Sequence, residues 1–363
     1  MNECCKELIM FRSLNNLRPN PFLGVCLLLI FVQFSITHAE DEAAPESKVL
    51  FGKIAEYIGD VSVNNKPVCR GMPVFFGDIV STKAGKARIE YHSSYFIVGP
   101  LTEIVVSFPL KTNKMGARID MISGTLRSVI KKLFPLSFEI MTPTACLGIR
   151  GTDFLVHSTQ KASVAFTKEG SVSFSADGKT VLVNEMEMTQ AGEKIAPLKP
   201  ENILSNETLT ALLTEVEQFC DLEIPPSLSA RKELNNILAR WNLNYAAYLV
   251  DKKEFEKAIK LCSLAFFIAD LRRLKAEAIL NKGTISFTFM GKADAALKDL
   301  DEIIKNYGDT SSAEQALYFK GLIFYHQNAV DKARKTLEAY LKKYPDGKFR
   351  ENAWSILNRL SGK

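Results

Sequence analysis

The sequence predicts a multidomain β + α chain: an all-β sandwich or jelly-roll-like module, followed by an α-helical solenoid. Three observations carry this. From about Val49 to Pro197, short segments alternate apolar and polar residues with period two, separated by turn residues. Beyond Pro200 the period becomes helical. Within that helical part, small residues recur at Ala258, Ala296 and Ala333, spacings of 38 and 37 residues that mark repeating units.

The first 39 residues read as a secretory leader. Arg12 and Arg18 precede the apolar run from Phe22 to about Ile36, and Thr37-His38-Ala39 leads into Glu40-Asp41-Glu42. The run is short for a stable membrane span, which needs about 20 residues, so cleavage near Ala39 is expected. The alternative is an uncleaved anchor formed by residues 22–36. Cys26 does not make a lipoprotein site, because bulky Val25 precedes it and the apolar run continues past it. Residues 40–47 are acidic, Ala-rich and contain Pro45, and read as a linker.

Residues 48–198 form the predicted β module. Strand segments include Gly59–Val63, Ala87–Tyr91, Ser163–Phe166 and Ser171–Phe174, with turns at Asn64-Asn65, Gly77-Asp78, Asn113–Gly116 and Asp177-Gly178-Lys179. About 150 residues can bury a core unaided, so the β module and the helical part are each expected to fold alone. Residues 199–228 are a helical connector broken by Pro225-Pro226, and residues 229–363 hold the repeats.

Composition narrows the function classes. Hydrophobic residues make up 47% and charged residues 24% of the 363, as in folded protein and unlike disordered chains. The net charge of +5 falls only to +4 without the leader and is spread along the chain; nucleic-acid binding would need a concentrated basic face. Outside the leader stand Cys69, Cys146, Cys220 and Cys262, which allow three full disulfide pairings in an oxidising compartment, or buried free thiols. Their spacing carries no metal pattern.

No G-x-S-x-G, H-E-x-x-H or Walker A sequence is present. Gly178-Lys179-Thr180 ends like a phosphate loop, but Ser173 stands where its first glycine must be, so it reads as a hairpin turn. His38, His92, His157 and His326 are far apart in sequence. Asp78 and Asp153 could in principle pair as carboxylates, but their turn contexts explain them better. Asn206-Glu207-Thr208 is a glycosylation sequon by composition only. No catalytic residue, cofactor or metal site is therefore expected.

The last repeat reads Leu317-x-x-Lys320-Gly321-x-x-Phe324, then Ala333, Leu337, Tyr340 and Pro345. Lys282-Gly283, Ala296, Leu300, Ile303 and Tyr307 echo it, as do Tyr245-Ala246, Ala258, Cys262 and Ala265 more weakly. Gly321 and Ala333 would let two antiparallel helices approach closely while Phe324 and Leu337 fill the space between. These units resemble tetratricopeptide repeats, with a helix over about 347–360 closing the stack. The resemblance implies a concave face built from the first helix of each pair. Matched onto this chain, that face includes Leu243, Leu280, Phe287, Tyr318, Leu322 and Tyr325. These side chains would form a partner groove, or be covered by a neighbouring helix or the β module.

The β segment carries Met141-Thr142-Pro143-Thr144-Ala145, then Gly148-Ile149-Arg150-Gly151-Thr152-Asp153-Phe154. Gly77–Thr82, Gly99-Pro100-x-Thr102, Gly124-Thr125-Leu126 and Glu169-Gly170-x-Val172 accompany it in order. Together they resemble the FecR domain over about residues 50–198. That implies an extracytoplasmic β module with binding or regulation as its usual role. Gly77-Asp78 suits turn chemistry, with positive φ at Gly77 and Asp78 capping nearby amides. Pro143 suits a strand start. Arg150 would clamp carboxylates or carbonyls, or contact a ligand. Ferric-citrate-type FecR regulators add a cytoplasmic domain acting on a sigma factor, but here only about 20 residues precede the apolar run, too few for a folded domain.

The reading is therefore an exported, non-enzymatic envelope protein that binds an envelope protein or peptide, with no nucleic-acid partner. Membrane contact is expected only through residues 22–36, if these are retained. A membrane-anchored sensory component is the alternative. Cell-wall or carbohydrate binding by the β module is weaker, since Trp241 and Trp354 both lie in the helical part.

Overall fold

In the computed structural model the described residues are 48–109, 116–131, 137–149, 151–205, 207–224 and 234–362. The leader, the linker, Arg150, Asn206 and Pro225-Pro226 lie outside them.

The β module begins with β1 (Leu50–Val63), β2 (Lys66–Pro67), β3 (Pro73–Phe75), β4 (Ile79–Tyr91), β5 (Ser94–Val98), β6 (Glu103–Ser107) and β7 (Gly116–Val129). It continues with β8 (Ser137–Met141), β9 (Cys146–Ile149), β10 (Asp153–Ser158), β11 (Ala162–Glu169), β12 (Ser171–Ala176), β13 (Lys179–Asn184), β14 (Glu187–Gly192) and β15 (Glu201–Asn202). These strands are hydrogen-bonded in the order β13-β12-β9-β8-β7-β10-β11-β14-β15, with β5 and β6 joining β4 to β7 and β1 paired outside β4. Pairing is antiparallel except between β7 and β8. Strict alternation, as in Ser171–Ala176, sends Val172 and Phe174 inward. They meet Ile54, Ile89, Phe96, Leu126, Ile140 and Phe154 in one core enclosed by the β module.

Eight helices follow among the described residues. After α1 (Glu207–Phe219) come three antiparallel pairs: α2 (Leu234–Asp251) with α3 (Phe255–Ile268), α4 (Arg272–Met290) with α5 (Ala293–Asn306), and α6 (Ser311–His326) with α7 (Val330–Lys343). Helix α8 (Arg350–Leu360) packs on the last pair. The architecture is thus a β module followed by helical repeats, as the two periodicities predict. Ala258, Ala296 and Ala333 have no exposed surface. A Cβ on Gly321 would lie 2.6 Å from Leu337 Cδ2, so a larger residue there would push the Leu337 side chain out of the α6–α7 contact.

The two parts share a second core. Strand β11 is buried on both faces: Ala165 points into the β core, while Val164 and Phe166 point at the helices. With Leu155, Met188 and Leu198 they pack against Leu209, Leu212, Val216, Leu238, Leu261 and Leu264. A division at 198/199 runs through this packed region, which is at odds with independent folding of the β module.

Candidate functional site

Among the described residues, most of the FecR-like motif acts as structural staples. Thr142 closes a turn, its Oγ1 accepting from Ala145 N at 2.8 Å, and its hydroxyl contacts Ser163 Oγ at 2.8 Å. Thr144 and Ser158 reach the same fully buried Ser163 hydroxyl at 2.6 and 3.1 Å, so the β8–β9 turn is pinned to the β10–β11 hairpin. Pro143 is half-buried within that turn. Thr152 is buried and its carbonyl accepts from Ile130 N at 2.9 Å; Phe154 fills the β core. Gly151, with φ of 61°, turns the chain between β9 and β10. Gly77 has φ of 92°, and Asp78 accepts from Phe75 N at 2.8 Å and Asn64 Nδ2 at 2.7 Å. Asp153 forms a two-pronged ion pair with Arg127, at 3.0 and 2.6 Å, which raises the Arg127 pKa. Both candidate carboxylates are thus taken up by structural partners.

The threonines of the same motifs build a relay toward the helices. Thr82 Oγ1 donates to Gly99 O at 2.5 Å, and Thr102 N donates to Thr82 Oγ1 at 3.0 Å. Thr125 N donates to Thr102 Oγ1 at 2.9 Å, and the Thr125 hydroxyl meets His157 Nδ1 at 2.8 Å. His157 Nε2 meets Asn235 Oδ1 on α2 at 2.7 Å, and Asn235 Nδ2 donates to Asp270 at 3.0 Å. With Asn235 donating to Asp270, its oxygen faces the imidazole, which fits a neutral ring protonated at Nε2 and accepting at Nδ1.

Burial pushes the His157 pKa from 6.5 down to about 4, against the Asn235 contact and the nearby Asp270 charge. Because the folded value is depressed, the unfolded chain takes up the proton first on acidification. Stability from a neutral His157 is complete above about pH 6.5 and is lost as the pH falls toward 4, by about 3 kcal/mol. Melting from pH 7 to pH 4 should show this fall, and His157→Gln should flatten it. An equal acid response in both proteins would exclude His157 as its source.

Further polar contacts cross the junction. Lys86 on β4 is fully buried, and its Nζ donates to the carbonyls of Gln218, Asp221 and Ile224 at 2.8, 2.5 and 3.3 Å, at the C-terminal end of α1. Burial lowers its pKa, opposed by Cys220 and Asp221. Gln190 and Asn242 exchange two hydrogen bonds, at 2.9 and 3.1 Å. Lys168 pairs with Glu217, and Lys257 with Glu201. A cleft of about 620 Å³ lies here between Leu101, Gly124 and Gln160 on one side and Phe219, Asn236 and Leu271 on the other. Its amides are engaged internally: Gln160 donates to Ile122 O, and Asn236 accepts from the amides of Asp270 and Leu271. The junction is built as a weld.

The expected groove residues divide. Leu243, Leu280 and Tyr318 are buried in the helical cores, which corrects their assignment to an open face. Tyr318 stacks on Phe349 at 4.4 Å, because the segment leading into α8 covers this part of α6; the seven-residue spacing to Tyr325 does not make the two equivalent. Phe287, Leu322 and Tyr325 are partly exposed and pack against the edges of the helical cores. Phe287 on α4 and Tyr325 on α6 each lie 5.7 Å from the His326 ring, forming a cluster that spans two repeats.

Sequence reasoning passed over Lys86, Asn235 and Gln190, and met His157 only as one of four histidines far apart in sequence. The one signal available was the run Ala162–Thr167, apolar enough for a strand buried on both faces. Cys220 and Cys262 are buried free thiols, their pKa values pushed to about 12 by burial, and Cys69 is exposed.

Residues 78–173 match the family model described as FecR protein, and residues 286–348 match a tetratricopeptide repeat model. Two crystal structures of a putative anti-sigma factor from Parabacteroides distasonis are similar at 12% identity and a TM-score of 0.30, over 34% of this chain and 59% of theirs. The chain thus spans less than two thirds of that protein. No curated protein matches it.

Proposed function

We propose that this chain, a FecR module welded to a tetratricopeptide repeat array, is an exported, non-enzymatic cell-envelope protein that recruits a protein or peptide partner on its repeats. The Phe287–His326–Tyr325 cluster carries the reading. Aromatic rings left partly exposed across adjacent repeats, beside Leu322, supply the kind of anchor that binding surfaces use. The staples in the β module and the welded junction support a scaffold role, since they hold this face in one orientation. The signal-like residues 1–39 support export.

The test is crosslinking capture from the envelope with the full chain and with a Phe287→Ala, Tyr325→Ala double variant, together with thermal melting. Partner recovery should fall by about tenfold or more, each anchor being worth roughly 2 kcal/mol, while the variant still melts cooperatively, at a somewhat lower temperature because both rings also pack against the helical cores. Cooperative melting with undiminished recovery would move the binding surface to the β module. The exported protein should begin near Glu40; recovery of Met1 on membrane-bound protein would instead favour an anchored regulator.

A further inference from the structure

The partner face of the repeats has a chemistry that selects the composition and conformation of what it holds. The positions of Thr284, Phe287 and Thr288 on α4 recur 38 residues later as Leu322, Tyr325 and His326 on α6. Within each helix the three positions share one face. Thr288 and His326 are exposed, and the other four are partly exposed. None of the six is a carboxylate, a lysine or an arginine. The charged side chains nearby are engaged elsewhere: Glu277 pairs with Arg240, Lys282 with Asp299 and Lys320 with Asp301. A charged segment would therefore gain little here over an uncharged one.

The polar groups on the face are uncharged donors. Thr284 Oγ1 donates to Asn281 O at 3.0 Å, but the Thr288 hydroxyl, the Tyr325 phenol and the His326 ring nitrogens have no hydrogen-bond partner among the described residues. Rings and free donors together decide between ligand conformations. An added strand has nothing to pair with, because helices expose no strand edge. A ligand helix bonds its own carbonyls internally and would leave the donors bare. A polyproline II segment suits both features: its prolines pack on aromatic rings, and its carbonyls have no internal partner. The spacing agrees as well. One turn of polyproline II advances about 9 Å, and neighbouring packed helices lie about 8–10 Å apart. Ligand residues one turn apart would then meet Phe287 on α4 and Tyr325 on α6, which both lie 5.7 Å from the His326 ring.

We propose that this face binds an uncharged, proline-rich segment of a partner in the polyproline II conformation, with Thr288, Tyr325 and His326 donating to its carbonyls. The inference rests on the reading of this face as the partner site and names the chemistry of the partner.

The test is fluorescence anisotropy of labelled decaproline titrated with the chain from Glu40 to Lys363, which keeps every described core, the buried apolar residues running from Phe51 to Leu357. Decaproline should bind, and equally well at raised salt. A flexible glycine–serine peptide of the same length and decaglutamate should not. Tyr325→Phe keeps the ring and its packing, and should weaken decaproline about fivefold through the lost donor. Phe287→Ala with Tyr325→Ala should weaken it at least about tenfold. Phe289→Ala should bind as the unsubstituted chain does, since that ring, 49% exposed, stacks on Phe255 of α3 outside this face. Absence of decaproline binding, release by salt, or equal binding by all the variants would overturn the proposal. Partner capture lost in the alanine double variant while decaproline never binds would remove this inference alone. Capture undiminished in that variant would remove the partner face itself.

Discussion

A chain ended after Leu198 is expected to lose its cooperative fold, although it retains the whole β core. Leu155, Val164, Phe166 and Met188 are 0–2% exposed because α1, α2 and α3 cover them. Stripping that cover exposes four large apolar side chains. At about 1.5–3 kcal/mol each, the loss is on the order of 6 kcal/mol or more, comparable with the whole stability of a typical domain. Thermal unfolding of residues 48–198 should be broad and low, with strong binding of a hydrophobic dye, whereas the chain from Glu40 to Lys363 should melt sharply. A sharp, dye-free transition for the short chain would show that the β core suffices and that the helices only dock.

Lys86→Met is the point substitution with the largest expected effect. Methionine can follow the aliphatic stem, but it offers nothing to the carbonyls of Gln218, Asp221 and Ile224. It also removes the cation that complements the C-terminal end of α1. Charge-assisted bonds to buried acceptors and the cost of leaving those acceptors bare together give a loss of about 3 kcal/mol. Equilibrium denaturation of the full chain measures it. Unchanged stability would mean that water replaces the ammonium, and that Lys86 does not hold α1 to the sheet.

The gross architecture was legible because it depends on local chemistry. Period-two alternation in segments such as Ser171–Ala176 specifies strands with one inward face. Ala258, Ala296 and Ala333 specify helix pairs, because only small side chains fit where two helices touch. Gly77-Asp78 could be read as a turn because positive φ and a capping carboxylate are properties of those residues themselves.

What lies between the modules was not legible. Lys86 sits in an alternating strand as any solvent-facing lysine would, and only the end of α1, more than 130 residues later, buries it. His157 and Asn235 are 78 residues apart and meet because α2 packs beside β10. Tyr318 and Tyr325 share a helical face by spacing, yet Phe349 covers one and leaves the other partly exposed. Sequence period determines which face of an element is apolar. Whether that face meets water, another module or a partner is decided by long-range packing, because burial belongs to the pair of surfaces and not to either segment alone.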